Sequence, residues 1–237
     1  MFRSPFEVED SISVSSFAEL HSALSGLHGH NENLLFRGQR KDSSTWALLP
    51  KAYRPQYRPT QGSVEQPYRR DETFLNEWFK ENAGFLNPYP HDVWMRIAIA
   101  QHNGLPTRLM DWSSNPLVAA YFAVSNATEN DDPVIYAYQY DGLLETSRFG
   151  PYRTGDGVYT LTAFKVDDRI VRQSGYFTIF TPICGVTESV TEIKISSGYC
   201  AQLKDELSLY GISHHTLFPS LEAQTQSLSR RIQCSMS

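Results

Sequence analysis

Residues 100–124, AQHNGLPTRLMDWSSNPLVAAYFAV, predict a helix, a turn, a short strand and the start of a second helix in direct succession. Gly104 is typical of the residue just past a helix end, and Pro116 suits the first turn of the helix that follows. The polar side chains between them stand at the ends of these elements, where binding sites are common. This stretch therefore indicates both the local fold and the first candidates for a site.

Each of these polar side chains also has a purely structural interpretation. Asp111 can form an ion pair with Arg108. Ser113 or Ser114 can cap the second helix. His102, at the end of the first helix, can serve as a general base or bind a phosphate, or it can be an ordinary structural histidine. The sequence leaves these alternatives open.

A second candidate stretch is LLFRGQR, residues 34–40, in which an apolar strand runs directly into an arginine and a glycine. The planar fork of Arg37 suits a diphosphate, Gly38 would let a ligand approach the backbone, and Gln39 can hydrogen-bond a ribose or a base edge. The alternative is that Arg37 pairs with Asp111 and only joins the strand to a helix. We expect the two stretches to meet in space, bringing together Arg37, His102, Arg108, Asp111 and Ser113.

The order of the predicted elements favours an α+β fold, with a mixed, mainly antiparallel sheet and N-terminal helices. Helices predominate early and strands late, without the regular alternation of a doubly wound sheet. We expect an N-terminal helical lead-in over residues 1–28 and a single globular domain over 29–237, whose motif-bearing core covers about 29–140. The patterns predict a helix within 11–28, capped by Ser15 or Ser16, and further helices over 71–85, 92–104, 115–127 and 201–211. They predict strands at 34–38, 106–112, 134–140, 158–166, 169–180 and 192–196.

Composition narrows the range of functions. A net charge of −5 and a pI near 5.8 argue against a general polyanion binder but allow a local basic pocket. Three cysteines without metal-ligand spacing argue against a disulfide framework and favour a reducing cytoplasm. No apolar run reaches the roughly 18 residues of a membrane span. We expect no metal, since His214 and His215 lack zinc-site partners and no carboxylates cluster as in a metal-dependent nuclease.

Taken together, the two stretches resemble the FRG domain, which is named for a Phe/Tyr-Arg-Gly motif. The resemblance rests on FRG at 36–38, WALLP at 46–50 and QHNGLPTRLMDWSSNPLVAAYFA at 101–123. It covers about residues 17–140, and GIS and LFPSLE near the C-terminus are similar to the family's usual ending. Met110 stands where leucine is usual. The family occurs mostly in bacteria and their phages, often in defence or mobile-element contexts.

A weaker resemblance, to ADP-ribosyltransferases, implies a fold of that type and a chemistry. In that family an arginine in a first-strand Tyr/Phe-Arg-Gly-like step binds NAD, and a later strand carrying Ser-Thr-Ser runs into a helix. The resemblance implies Arg37 at the diphosphate, with Ser113 and Ser114 at the nicotinamide-ribose pocket. A glutamate or glutamine normally completes the triad, and Gln173 is the best match, although it can equally be a sheet-edge side chain. Other candidates are Glu188, Glu192 and Glu222.

The resemblance therefore implies an NAD-binding, ADP-ribosyltransferase-like enzyme or an NAD glycohydrolase, acting as a bacterial or phage effector in the cytoplasm. NAD is the expected substrate, and any macromolecular acceptor or partner protein is left unspecified. The alternative is a non-catalytic module that recognises a nucleotide or a protein through the same cleft. The expected catalytic residues are Arg37, His102, Ser113 and Gln173, and the expected binding residues are Arg37, Gly38, Gln39, Arg108, Asp111 and Ser114.

Overall fold

Seven strands of the chain form one sheet in a computed structural model, which describes residues 3–29, 33–57, 67–87, 89–152, 154, 157–164, 174–180 and 187–218, with only the backbone at 67–69. The strands are β1 (Phe6–Val14), β2 (Leu34–Gln39), β3 (Leu109–Ser113), β4 (Val134–Gln139), β5 (Val158–Thr162), β6 (Gly175–Phe180) and β7 (Glu188–Ile195). Their order across the sheet is β1-β7-β4-β2-β3-β6-β5. Only β1 and β7 pair in parallel, and the other neighbours are antiparallel. The expected α+β fold with a mixed, mainly antiparallel sheet is confirmed.

The helices follow the capping signals of the sequence closely. The described α-helices are α1 (Phe17–His28), α2 (Pro67–Glu81), α3 (Val93–His102), α4 (Pro116–Val124), α5 (Cys200–Leu209) and α6 (His214–Leu217). Ser16 caps α1, Asp92 caps α3 and Asn115 caps α4, each by accepting a backbone N–H of the first turn. Of the described helices, none is long and apolar enough to cross a bilayer.

The N-terminal segment differs from the expected helical lead-in. Residues 6–14, FEVEDSISV, form β1, whereas the predicted helix begins at Phe17, directly after its cap Ser16. β1 lies at one edge of the sheet and carries a bulge between Val8 and Asp10. Its parallel pairing with β7, just over 180 residues later in the chain, is a tertiary contact that no local pattern encodes.

One face of the sheet carries five of the described α-helices in two groups. Alternation along β2 turns Phe36 and Gly38 toward α4, and α1 and α5 complete that layer over the β1-β7-β4-β2 half. Helices α2 and α3 cover the β3-β6-β5 half on the same face. The opposite face is covered by residues 48–53, which pack on Trp112, Tyr138 and neighbouring side chains.

The sheet opens where the two halves meet. β2 and β3 are joined by a single residue pair, Phe36 with Ser113. Beyond that pair, β2 continues to Gln39 along β4, while β3 is paired with β6 along its whole length. A gap therefore forms between residues 37–39 of β2 and the first residues of β3. We call this gap the β2–β3 cleft.

Candidate functional site

A cavity of about 540 Å³ occupies the β2–β3 cleft. Its volume lies within the usual range of small-molecule sites. The split in the sheet explains the cavity, because main-chain groups that would otherwise pair across β2 and β3 stand apart there. Six residues singled out from the sequence line it, namely Arg37, Gly38, Gln39, His102, Asp111 and Ser113.

Arg37 spans the cleft from the end of β2. Its Nη1 donates to the main-chain oxygen of Asp111 at 2.5 Å, and its Nε lies 3.5 Å from Oε1 of Gln39. Within the described chain its Nη2 has no hydrogen-bond partner and no carboxylate lies within ion-pair distance of its guanidinium. Burial lowers the pKa of Arg37 to about 10; the Asp111 carboxylate opposes this decrease and Arg54 adds to it. Arg37 is therefore still charged at neutral pH.

Arg54 is a second cation of the cavity. No local pattern distinguishes it from the other arginines of the Pro- and Tyr-rich segment after residue 50. It follows the buried Tyr53, which anchors the segment, and its Nε donates to the main-chain oxygen of Leu49 at 3.3 Å. Burial lowers the pKa of Arg54, and the Asp111 carboxylate counteracts the effect. Arg37 and Arg54 thus approach each other near a single carboxylate.

Arg40 completes a basic wall. Its Nε lies 3.5 Å from the Asp131 carboxylate, and its guanidinium stacks over the Trp46 ring at 5.1 Å. The described lining therefore has three guanidinium groups against one carboxylate, Asp111. On a chain whose net charge is −5, this is a local positive site suited to an anion.

Asp111 is held by a short chain of hydrogen bonds. Gln101 Nε2 donates to Oδ1 of Asp111 at 2.6 Å, and the Thr107 hydroxyl donates to Oε1 of the same amide. These two bonds set the orientation of the Gln101 amide, so that its N–H points to the Asp111 carboxylate. The ion pair of Asp111 with Arg108 that the sequence allowed is absent from the described residues, as is a direct Arg37–Asp111 ion pair.

His102 stands beside Asp111 at the end of α3. Both residues, with Trp112, also line a second cavity of about 120 Å³ on the far side of Asp111. That cavity is lined by apolar residues such as Ala98, Ala163 and Phe177 together with the polar side chains. His102 and Asp111 therefore stand between a large basic cavity and a smaller one of mixed lining.

The role predicted for Gly38 is wrong. A Cβ at this position would lie 1.9 Å from the main-chain oxygen of Ala119 and 2.6 Å from the nitrogen of Ala123. The missing side chain thus makes room for helix α4 rather than for a ligand. Small residues on α4 and glycine on β2 bring helix and strand backbones into close contact.

Gln39 is buried and uses its amide to organise the cavity wall. Its Oε1 faces Nε of Arg37, and its Nε2 donates to the main-chain oxygen of Trp46 at 3.0 Å. A weaker contact reaches the oxygen of Lys41 at 3.5 Å. The side chain expected to contact a ribose or base instead links the strand end to the following loop.

The two serines separate in space. Ser113 is buried, lines the cavity, and accepts the N–H of Asn115 at 3.0 Å. The cap of α4 is Asn115 itself, so neither serine caps the helix directly. Ser114 does not line the cavity, and its N–H donates to the main-chain oxygen of Ser174 at 3.0 Å.

Arg108 lies outside the cavity, contrary to the expectation that it joins the other four residues. Its side chain is 1% exposed, and Nη1 and Nη2 donate to the main-chain oxygens of Pro151 and Phe180 at 2.7 and 3.2 Å. It also lies over the Tyr152 ring at 5.7 Å. Leu109, the next residue, begins β3. Because the start of this strand is buried, the Arg108 side chain points into the protein interior.

Of the residues expected to complete a triad, Gln173 and Glu222 lie outside the described residues. Glu188 and Glu192 are on β7, separated from β2 by β4, and contact Tyr138 and Tyr136. Neither lines the cavity. In the described chain, no cluster of three or more histidine, cysteine or acidic side chains is arranged to hold a metal ion.

The comparisons with known proteins place these elements in a family. The model of the FRG domain matches residues 32–132, a range that includes both strands of the cleft and helices α2, α3 and α4. Neither the curated proteins nor the solved structures give a match. The arginine, the helix-packing glycine and the QH-to-DW block all lie inside the matched range. Residues 32–132 of this chain match the FRG domain family.

Proposed function

We propose that the β2–β3 cleft binds NAD through its diphosphate and that the protein cleaves the bond between nicotinamide and ribose. The observation that carries this proposal is that Arg37 and Arg54 line the same cavity without an ion-paired carboxylate among the described residues. Two partly buried like charges in one cavity are costly unless an anion joins them. A diphosphate presents several oxygens to such a pair, and guanidinium groups bind them in a bidentate manner.

The chemistry assigned to the site is hydrolysis at C1′ of the nicotinamide ribose. The bond from C1′ to the pyridinium nitrogen breaks, and its electron pair neutralises the ring nitrogen. Asp111 stabilises the positive charge that develops at C1′, because a carboxylate is the natural counterion of an oxocarbenium-like centre. A water oxygen then bonds to C1′ and its proton passes to His102. The products are ADP-ribose and nicotinamide.

Transfer to a macromolecular acceptor differs from hydrolysis only in the nucleophile. An acceptor side chain would take the place of water at C1′ and lose its proton to the same base. The exposed carboxylate of Asp111 and the open cleft are compatible with either nucleophile. Hydrolysis is the simpler test because it needs no partner.

The decisive experiment is incubation of the protein with NAD, followed by chromatography for nicotinamide. Wild type is expected to release nicotinamide and ADP-ribose in equal amounts. Asp111→Asn keeps the size of the side chain but removes its charge, and its rate is expected to fall at least 100-fold. Asp132→Asn, at an exposed aspartate outside the cavity, is the matched control and should retain full activity. Equal rates for Asp111→Asn and wild type would remove Asp111 from the mechanism.

A non-catalytic nucleotide-recognition module is the second candidate. It is favoured by one observation, that the described lining of the cavity contains a single carboxylate and no glutamate. Calorimetric titration separates the two functions. A module binds NAD and ADP with similar affinity and releases no nicotinamide, whereas an enzyme turns NAD over and binds ADP as a product analogue.

A further inference from the structure

We propose that the wall formed by Trp46 and Phe122 is a stacking site for a nucleobase, so that the cleft selects a nucleoside diphosphate over a bare diphosphate. This inference rests on the proposed function, in which Arg37 and Arg54 bind the diphosphate. We call these two residues the phosphate anchor. Trp46 is 40% exposed and Phe122 is 37% exposed, and both line the same cavity as Arg37. Large aromatic rings at the wall of a basic cavity are the usual means of binding a base without reading its identity.

The Trp46 segment has a fixed position relative to the phosphate anchor. Gln39 connects the two, with its Oε1 at 3.5 Å from Nε of Arg37 and its Nε2 at 3.0 Å from the main-chain oxygen of Trp46. Because Gln39 is buried, this link lies inside the protein rather than on its surface. One ligand can therefore place its phosphates at Arg37 and its base at Trp46 in a single geometry.

Arg40 packs over one face of the Trp46 indole and holds the ring in place for stacking. Its guanidinium lies 5.1 Å from the centre of the Trp46 ring. Arg40 is itself held in place by the Asp131 carboxylate at 3.5 Å and by the main-chain oxygen of Asn126 at 3.4 Å. A base that stacks on Trp46 thus adds to an ordered cation–indole pair. Because the indole is already held in place, the Trp46 side chain loses little conformational freedom on binding.

Phe122 adds aromatic surface from helix α4. It contacts Phe218 edge to face, with ring centres 6.0 Å apart and planes at 86°. Phe218 lines the cavity as well, and its ring lies 5.1 Å from that of His214. These rings make a hydrocarbon-rich wall beside the guanidinium groups. A flat, polarisable base matches this combination better than a sugar or a second phosphate does.

The test compares inorganic pyrophosphate with ADP by isothermal titration calorimetry. Wild type is expected to bind ADP roughly 10- to 100-fold more tightly than pyrophosphate, the range that one stacked base provides. In Trp46→Ala this preference should fall to about 3-fold or less while pyrophosphate affinity stays unchanged. Trp46→Phe should keep most of the preference. The matched control is Phe85→Ala, at an aromatic residue that is 88% exposed and outside the cavity.

The outcomes separate this inference from the function on which it rests. Equal affinity of wild type for ADP and pyrophosphate overturns the base site but leaves the phosphate anchor intact. A Trp46→Ala protein that keeps the full preference for ADP also overturns the base site. If wild type binds neither ligand, the anchor and the base site both fail. Thermal melts of each variant show whether a loss of binding reflects a loss of folding.

Discussion

Arg37 and Arg108 belong to the two stretches on which the family resemblance rests, yet they lie in different environments. Arg37 borders a 540 Å³ cavity and keeps one nitrogen without a partner in the described chain. Arg108 is 1% exposed, donates to two main-chain oxygens and lies beside Tyr53, Asp71 and Tyr152. We call these four residues the Arg108 cluster. Nε of Arg108 also lacks a hydrogen-bond partner among the described residues, but it is buried, whereas Arg37 borders a cavity that a ligand can enter. The Arg108 cluster thus uses its arginine to hold the fold together.

The difference shows that residue type and motif membership do not decide between binding and structure. A buried guanidinium must find acceptors within the protein, since its desolvation is otherwise too costly. A guanidinium at a cavity can satisfy some donors internally and leave others to solvent or a ligand. Four measurements follow from this contrast, in order of decreasing expected effect.

Replacement of each arginine by methionine gives the strongest test of the contrast. Arg108→Met removes the donors to the oxygens of Pro151 and Phe180 and one of the two cations near the Asp71 carboxylate, the other being Arg70. The free energy of unfolding should fall by about 3–5 kcal/mol. Arg37→Met should cost less than about 1 kcal/mol. Chemical denaturation measures both, and equal losses would mean that the cleft arginine is structural too.

The free energy of unfolding should depend on pH through the titration of Asp71 in the Arg108 cluster. Burial raises the pKa of Asp71 from 3.8 to about 6, while Arg108 opposes the increase. Between about pH 4 and 6 the folded protein keeps a proton that the unfolded chain has lost, so the free energy of unfolding falls as the pH rises through this window. The total decrease is up to about 3 kcal/mol, with no further change from Asp71 above the folded pKa.

Asp71→Asn removes that titration. The pH dependence of the free energy of unfolding should flatten between pH 4 and 6 in Asp71→Asn but not in the exposed control Asp132→Asn. Denaturant titrations at intervals of one pH unit are sufficient to measure it. Identical profiles for Asp71→Asn and wild type would contradict the assignment of this window to Asp71.

Gly38→Ala tests the corrected role of the motif glycine. The new methyl group would meet the backbone of α4 at 1.9 Å, which forces the helix away from β2. A loss of about 1–3 kcal/mol in the free energy of unfolding is expected. Gly26→Ala within α1, where a Cβ has open space, should instead be neutral or stabilising. A stable Gly38→Ala protein that fails to bind ADP would restore the ligand-clearance role.

Arg37→Lys gives the smallest effect and the most specific one. Lysine keeps the charge but loses the planar fork, so ADP affinity should fall about 10-fold, or about 1.4 kcal/mol. The melting temperature should change little, because Arg37 makes few contacts that lysine cannot replace. Calorimetric titration with ADP measures the affinity, and Arg148→Lys on the exposed surface is the control. Unchanged affinity with a lowered melting temperature would assign Arg37 to structure.

Much of the fold was accessible from local sequence. Asp92 and Asn115 start helices as their capping signals predict, and the helix that ends before Gly104 ends at His102. The meeting of Arg37 with His102, Asp111 and Ser113 was also accessible, because all four stand at element ends. These features depend on short-range chemistry that a single sequence displays.

The rest depends on which way a side chain turns after the sheet forms. No local sequence feature distinguishes Arg54, which lines the cavity, from Arg108, which is buried next to the start of β3. The need for Gly38 arises from the close approach of α4, a contact between segments that are 80 residues apart in the chain. The position of β1 likewise depends on β7. Such contacts are set by packing, and the sequence pattern does not record them.

The pairing of β1 with β7 also has a consequence for synthesis on the ribosome. β1 leaves the ribosome early, but its partner begins at Glu188, which pairs with Phe6. At typical translation rates β1 waits roughly 10–40 s for that partner. Its acidic residues Glu7, Glu9 and Asp10 disfavour pairing with other nascent chains during the wait. The negative charge of this strand thus protects a segment that joins the sheet only after β7 has been made.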